Sequence, residues 1–197
     1  ALQGTITGDN DRFLRIWYEV SVEKSCFHAQ TFDDSSIKWY PHSKGGEKRK
    51  WYGNNDYLIN WHNNGYDILH FFDSNGKLRS RPQNISYFLR RGISWSDLTS
   101  GSFGARFVPD GSTFNVTGPT FYPQNDEWIL PLIAYMNSPV FQVMLNICCP
   151  GLHYHNGVIN NLPILDCIFH NDRIANLAEK NIHFSHDDWD CYETSWD

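Results

Sequence analysis

The sequence predicts an α+β fold: a mixed, mainly antiparallel β region followed by a helical C-terminal segment. Short runs of alternating apolar and polar residues, separated by Gly, Pro and Asp, fill residues 1–124. Apolar residues then recur at helical spacing from residue 125 onward. The chain has 197 residues, 41% hydrophobic and 19% charged, which is enough to bury a substantial core. We expect a β-rich unit at 1–124 with a helical unit at 125–197 packed on it, as two domains or one structural unit.

The predicted strands are short and are separated by turn-forming residues. The first follows the turn sequence TGDND, and the second is expected to end at Pro41, because proline has no N–H to donate to a ladder. Gly, Pro and Asp separate the remaining strands from one another. The five predicted strands are residues 13–21, 37–43, 85–95, 101–109 and 112–118.

The predicted helices begin at residue 125. Residues 125–148 have helical spacing that is interrupted at Asn137, which predicts two helices, with Ser138 capping the second and Pro139 as its first residue. Residues 171–182 predict a short amphipathic helix. Ser185 followed by Asp188 resembles a capping box, so we expect a separate final turn there.

Basic residues are concentrated in one part of an acidic chain. The formal net charge is −6, yet eleven of the sixteen Lys and Arg residues lie in residues 38–106, with only five of the 22 Asp and Glu residues. This asymmetry indicates a basic module in an acidic body. The pattern alone leaves three interpretations open: contact with nucleic acid, a solvated charged surface, and a protein interface. Aromatic residues, 16% of the chain with eight Trp, fit a core, an interface or base stacking equally well.

The most basic stretch reads KGGEKRKWYGNNDY, at residues 44–57. Its glycines would let the backbone approach a sugar–phosphate chain, its cations would neutralise phosphates, and its amides suit adenine edges. Trp51 could stack on a base, and Arg49 could read guanine. Further candidates alternate along a strand-like segment or lie in a loop near the N-terminus. The candidate DNA-binding residues are Lys44, Lys48, Arg49, Lys50, Trp51, Asn54, Asn55, Lys77, Arg79, Arg81, Arg106, Thr7 and Asn10, with base contacts also expected near Ser100–Arg106.

The sequence contains few patterns that are typical of catalytic or metal-binding sites. It contains no GxSxG, HExxH, P-loop or dinucleotide fingerprint. The acidic clusters at Asp33 and at Asp187–Asp190 are more typical of solvated caps than of metal sites, and His153 with His155 lacks a third ligand at a recognisable spacing. The five cysteines form no CxxC pair, which favours buried reduced thiols. We therefore assign no catalytic residue and no metal site.

No run of about 18 apolar residues is present, and the N-terminus has no signal-like sequence. We therefore expect a cytoplasmic protein with no membrane partner. The chain starts without Met, from which we expect a piece of a longer protein.

Long segments of the chain resemble a known family of enzymes. They are TGDNDRFLRIWYEV (7–20), KWYPHSKGGEKRKWYGNNDYLINWHNNG (38–65), GISWSDLTSGSFGARFVPDGSTFNVTG (92–118), LIAYMNSPVFQVMLNICCPGLHYHNGVINNLPI (132–164) and HDDWDCYETSWD (186–197). Together these segments resemble the C-terminal half of the PglX-type adenine-specific DNA methyltransferases of BREX phage-defence systems. The end of the fourth segment is also similar to the recognition domains of TaqI-like methyltransferases and type I restriction specificity subunits.

The resemblance implies a target-recognition domain that binds double-stranded DNA and works with a catalytic methyltransferase domain. In that family, methyl transfer depends on S-adenosylmethionine and on an Asn-Pro-Pro-Tyr/Phe motif that holds the flipped adenine. This chain has no such motif, since NNDY and NNLPI lack the Pro-Pro pair. The resemblance therefore implies no cofactor in this segment and S-adenosylmethionine in the parent enzyme. It departs from the family at GLHYHNG (151–157), where two histidines stand in place of an Asn or aromatic residue.

Two alternatives remain beside DNA recognition. The basic loop and exposed aromatics could instead engage another defence-system protein or a DNA-mimicking inhibitor. A metal-dependent nuclease built from the Asp and His clusters is a weaker alternative.

Overall fold

The computed structural model describes residues 1–98, 102–192 and 195–196. It contains helices together with antiparallel and mixed sheets, which confirms the α+β prediction. The predicted division at residue 124 stays a prediction. The helices are α1 (Asn10–Phe13), α2 (His62–Leu69), α3 (Ile129–Met136), α4 (Pro139–Cys148), α5 (Asn156–Ile159) and α6 (Asp172–Asp190). The strands are β1 (Leu14–Ile16), β2 (Trp39–Ser43), β3 (Tyr57–Asn60), β4 (Gly92–Ser94), β5 (Arg106–Val108), β6 (Thr113–Phe114) and β7 (Thr120–Phe121).

Two small sheets organise the first 124 residues. The first has the order β1-β3-β2-β6, in which β3 pairs antiparallel with β1 and β2, and β6 pairs parallel with β2. The second has the order β5-β4-β7 and is antiparallel throughout. The prediction that the second strand ends at Pro41 is wrong. The strand continues to Ser43 because β6 pairs with His42 and Ser43.

Each sheet has its own hydrophobic core. Around the first sheet, Phe13, Trp61 and Ile68 are among the buried side chains. Around the second, Trp95 and Phe103 pack with α3, α4 and α6, so residues on both sides of position 124 share one core. Aromatic side chains supply much of this packing, which accounts for part of the aromatic excess.

The break between α3 and α4 is where the sequence predicts it. The Phe141 N–H donates to the Ser138 side chain at 3.2 Å, and Pro139 starts α4. Among the described residues, no single helix is both long and apolar enough to cross a bilayer. The stretches Asp126–Met136 and Pro139–Cys148 pass that test only as a pair, and they bend by 75° at the break.

Several local predictions need correction. The strands expected at 85–95, 101–109 and 112–118 are limited to β4, β5 and β6. The strand expected at 13–21 is limited to Leu14–Ile16, because the Glu19 carboxylate accepts the Ile16 N–H and closes a turn. The helix expected at 171–182 continues to Asp190, and Ser185 lies inside it rather than capping a new turn. Strand β3 and helix α2 were not predicted. Three consecutive left-handed residues at the start of α2, Asn63–Gly65, obscure its helical pattern.

Candidate nucleic-acid interface

The basic loop, residues 44–56, connects β2 to β3 and follows an unusual backbone path. Five of its residues have positive φ: Gly45, Gly46, Trp51, Gly53 and Asn54. For Trp51, with φ 73°, this conformation is costly and must be held by surrounding contacts. Those contacts come from β5, from α6 and from the end of α3.

Helix α6 holds the centre of the basic loop. The Ser185 hydroxyl lies 3.0 Å from the Lys50 carbonyl and 3.4 Å from the Tyr52 carbonyl. The Arg49 guanidinium donates to Asp188 at 3.2 Å and lies over the Trp189 ring at 4.8 Å. An ion pair and a cation–π contact thus occupy the side chain predicted to read guanine.

Trp51 joins the loop to β5 through its backbone. The Trp51 N–H donates to the Ala105 carbonyl and the Phe107 N–H donates to the Trp51 carbonyl, both at 2.7 Å. The indole packs against the core of the second sheet. In this arrangement Trp51 serves the fold and is only partly exposed for stacking on a base.

Arg106, beside Trp51, is almost completely inaccessible. Its side chain is 2% exposed, and its guanidinium donates to the Ser96 hydroxyl at 3.4 Å. Burial, followed by the nearby charge of Arg49, lowers the pKa of Arg106 to about 10. A side chain this deeply buried does not reach a DNA surface unless the loop opens.

Asn54, the backbone of Asn55 and the last lysine of the loop also make internal contacts, whereas the buried Asn55 side-chain nitrogen has no hydrogen-bond partner among the described residues. Asn54 is buried and donates to the Glu47 carbonyl at 2.8 Å. The Asn55 carbonyl accepts a hydrogen bond from the Trp196 indole. Lys50 donates to the Asn137 carbonyl at 2.9 Å, and burial together with Lys48 lowers the Lys50 pKa. Lys48 is the loop cation that is exposed without a recorded contact of this kind among the described residues.

At the start of the loop, Lys44 faces a different surface. Its Nζ lies 4.3 Å from the centre of the Tyr57 ring, and the two residues line an open cleft of about 340 Å³ with Asn10 and Arg15. Two carboxylates, Asp11 and Glu19, also line this cleft. Thr7 is buried and donates to Asn10 Oδ1 at 2.8 Å, which orients the exposed Asn10 amide.

The segment at residues 77–81 lies beside the same N-terminal turn. Ile6 and Arg81 exchange backbone hydrogen bonds, and the Arg79 N–H donates to the Phe71 carbonyl. Lys77, Arg79 and Arg81 are exposed, as expected for cations that alternate along an extended segment. Arg81 forms an isolated antiparallel bridge with Ile6.

Two arginines near this surface were missed from the sequence. Arg12 and Arg15 lie outside residues 38–106, where the basic residues are concentrated, so the distribution of charge along the chain did not select them. Folding places Arg15 at the Lys44 cleft and Arg12 over the Phe71 ring, 5.0 Å from its centre. Their proximity to the predicted Thr7–Asn10 loop was the available signal. Of the segment Ser100–Arg106 expected to contact bases, residues 100 and 101 lie outside the described residues, and residues 103–106 are buried.

The other polar clusters make ordinary structural contacts. His153 and His155 stack with ring centres 5.5 Å apart, and His153 Nδ1 lies 3.1 Å from an Asp97 carboxylate oxygen. No group of three or more His, Cys, Asp or Glu side chains suited to a metal ion occurs in the described part of the chain. All five cysteines are free, but the expectation that they are buried holds for Cys149 alone.

Comparison with known proteins gives two relatives that match the chain from end to end. It is 35% identical over 198 residues to the adenine-specific methyltransferase PglX of Lacticaseibacillus casei (strain Zhang), and covers 16% of that protein. It is 34% identical over 200 residues to the adenine-specific methyltransferase BrxX of Escherichia coli O9:H4 (strain HS), and covers 15% of it. No protein-family model matches. The chain spans about a sixth of the length of these curated relatives. It is therefore homologous, along its whole length, to one region of PglX-type adenine-specific methyltransferases.

Proposed function

We propose that this chain is the target-recognition region of an adenine-N6 DNA methyltransferase of a restriction-modification or BREX phage-defence system. It binds duplex DNA and contributes the sequence specificity. The observation that carries the proposal is the end-to-end similarity to two adenine-specific methyltransferases. The exposed cations Lys77 and Arg81 and the half-buried Lys44 support it.

Phosphate contact and base contact fall to different residues in this proposal. Lys44 and Arg15 at the cleft, together with the exposed Lys48, Lys77 and Arg81, position the duplex through its phosphates. Asn10 is the exposed amide at the same surface, and an asparagine amide can pair with an adenine edge through both its oxygen and its nitrogen. Arg49, Lys50 and Asn54 keep the loop in place, because their side chains are already bonded within the protein.

Methyl transfer belongs to another part of the enzyme in this proposal. The chain lacks the Asn-Pro-Pro motif that holds a flipped adenine in the family it resembles. The S-adenosylmethionine cofactor and the catalytic residues would be supplied by a methyltransferase region outside this chain, and the recognition region would present the target adenine to it.

Methylome sequencing tests the proposal. A host carrying the full-length gene is compared with hosts carrying Lys44→Gln with Arg15→Gln, or Asn10→Ala, or the control Lys180→Gln on the exposed side of α6. We expect the cleft pair to lower the methylated fraction at an unchanged motif, because phosphate contacts carry no sequence information. Asn10→Ala should relax one position of the motif. If both test strains methylate the same motif to the same fraction as the strain with the unaltered gene, the proposal is contradicted.

A second function, protein interaction, is favoured by one observation. Val140, Val143 and Ile147 form an exposed apolar stripe along α4, and Val140 borders an apolar groove of about 390 Å³ between α3, α4 and α6. Exposed apolar surface of this kind is typical of an interface. The partner in this case is the methyltransferase region or another defence-system protein.

The two functions can be separated by substitutions on α4. Val143→Lys with Ile147→Lys should lower methylation in the host while leaving the duplex affinity of the protein unchanged. If the double substitution changes neither, α4 has no interaction role. If it lowers duplex affinity instead, α4 belongs to the DNA-binding surface.

A further inference from the structure

Two arginines from distant parts of the chain converge on a single aromatic ring. The guanidinium carbons of Arg12 and Arg79 lie 5.0 and 4.7 Å from the centre of the Phe71 ring. They are therefore no more than about 10 Å apart. Both side chains are exposed, whereas Phe71 is only 9% exposed. The ring thus holds two cationic groups at the surface of the first core.

The backbone at this site is fixed before any ligand arrives. Phe71 packs edge-on against the fully buried Phe13, which follows Arg12 in α1. On the other side, the Arg79 N–H donates to the Phe71 carbonyl at 2.8 Å, and the Ser80 hydroxyl donates to the Ile68 carbonyl. Gly8, at φ +79°, lies so close to Arg79 that an added Cβ would come within 2.7 Å of the Arg79 carbonyl oxygen.

Neither guanidinium forms an ion pair with any residue that the structure describes. The nearby carboxylates are engaged with backbone groups instead. Asp9 accepts the Arg12 N–H at 3.0 Å, and Asp73 accepts the N–H groups of Asn75 and Lys77. Two like charges brought together without a direct ion pair repel each other, so an anion in contact with both would be bound favourably.

We infer that Arg12 and Arg79, stacked on Phe71, form a clamp for the DNA phosphate backbone. This inference rests on the proposed function and assigns a new phosphate site within it. A guanidinium that stacks on an aromatic face keeps its in-plane N–H donors free, and these match the geometry of phosphate oxygens. The upper limit of about 10 Å on their separation allows both to contact one phosphate, or two neighbouring phosphates along a strand.

The salt dependence of duplex binding tests the clamp. The full-length protein and its Arg12→Gln, Arg79→Gln double variant are titrated with a mixed-sequence duplex of about 30 base pairs over a range of KCl concentrations. Each phosphate contact contributes about 0.9 to the slope of log Kd against log salt, so the variant should lose about 0.9 if the two arginines share one phosphate and about 1.8 if they contact two. The control is Arg173→Gln, which removes an exposed arginine at the start of α6 and should leave the slope unchanged.

Arg12→Lys with Arg79→Lys is the second variant, and it also guards against a folding defect. It keeps both charges on the Phe71 ring, so the slope should stay close to that of the parent protein while the affinity falls severalfold through loss of bidentate contact. Thermal melts establish that each variant is folded. An unchanged slope in a folded Gln variant would overturn the clamp, and so would equal slopes in the Gln and Lys variants. A parent protein that shows no salt-dependent duplex binding would instead overturn the proposed function.

Discussion

The basic loop at residues 44–56 and the basic segment at residues 77–81 look alike in the sequence but differ in the folded protein. In the loop, Arg49 contacts Asp188 and Trp189, and Lys50 bonds to a carbonyl at the end of α3. In the segment, Lys77, Arg79 and Arg81 have exposed side chains, and the backbone is held by its own hydrogen bonds and by the buried Ser80 hydroxyl. The loop uses two of its four cations, Arg49 and Lys50, to hold its shape, whereas the segment leaves its three cations exposed to a ligand.

The two regions differ in a property that a count of charges does not show, namely whether each cation is already bonded within the protein. Both stretches carry an excess of positive charge, but only tertiary contacts decide whether a cation is satisfied within the protein or exposed to a partner. In the loop, Lys44 and Lys48 remain at the surface while their neighbours are engaged. We therefore expect substitutions in the loop centre to change stability and substitutions in the segment to change DNA affinity.

The largest effect is expected from removing the anchor of the loop. Trp189 is 7% exposed, lies against Gly53 and carries the Arg49 guanidinium on its ring. Trp189→Ala should lower the free energy of unfolding by about 3 kcal/mol, because burial of a large aromatic side chain is lost. Urea unfolding gives the stability, and amide hydrogen exchange reports the loop. Phe184→Ala, at a position on the same helix that is 71% exposed, should have little effect. Loop amides as protected as in the parent protein would show that α6 is not the anchor.

Lowering the pH should destabilise the folded protein through His42, which lies near the start of the basic loop. His42 lies in β2, just before Lys44, and is fully buried. Its Nδ1 lies 2.7 Å from the Thr113 hydroxyl, and its Nε2 accepts a hydrogen bond from Asn115. Burial, followed by the Lys44 charge, lowers the pKa of His42 to about 3 from its ordinary value of 6.5.

The sign follows from proton binding. Between pH 6.5 and pH 3 the unfolded chain binds a proton at His42 and the folded chain does not, so the free energy of unfolding falls as the pH drops below about 6.5. From this group we expect a loss of about 2 kcal/mol between pH 7 and pH 5. Urea unfolding at the two pH values measures it. His42→Gln, which cannot titrate, should lose less, and an equal loss in both proteins would rule out His42 as the cause.

Substitutions in the exposed segment, residues 77–81, should lower DNA affinity and leave the free energy of unfolding almost unchanged. Lys77→Gln with Arg81→Gln removes two surface cations, and we expect duplex binding to weaken about tenfold, or about 1.4 kcal/mol, at 0.15 M salt. The free energy of unfolding should change by less than about 0.5 kcal/mol, as is usual for surface substitutions. Fluorescence anisotropy and urea unfolding measure the two quantities. If the double variant loses stability but keeps its duplex affinity, the segment serves the fold and not DNA binding.

The smallest effect is expected at the ion pair between the loop and α6. Asp188 is exposed, so Asp188→Asn should cost about 0.2 to 1 kcal/mol of stability at low salt and almost nothing at high salt. Asp187→Asn is the matched control, since that neighbour is also exposed and has no recorded ion pair among the described residues. Urea unfolding at two salt concentrations measures both variants. Equal costs for the two would mean that Arg49 is held by the Trp189 ring alone.

Much of the fold could be predicted from local patterns. The break at Asn137, the Ser138 cap and the α+β class follow from the spacing of apolar residues and from local capping chemistry. Strand β3 and helix α2 could not be predicted in this way, because β3 is defined by its pairing with β1 and β2, and left-handed Asn63 and Asn64 interrupt the helical pattern. The candidate site was predicted in part: the loop, the 77–81 segment and the Thr7–Asn10 turn were selected, and Arg12 and Arg15 were not.

The amino-acid sequence was enough to predict the fold class, the concentration of basic residues between positions 38 and 106, and the resemblance to PglX-type methyltransferases. Those properties depend on composition, on local spacing and on ancestry, and a linear chain records all three. The tertiary structure alone decided that Arg106 is buried, that Arg49 is held by α6, and that Arg12 meets Arg79 across Phe71. These outcomes depend on contacts between residues that are far apart in the chain, and local pattern does not specify which distant side chain satisfies a given charge.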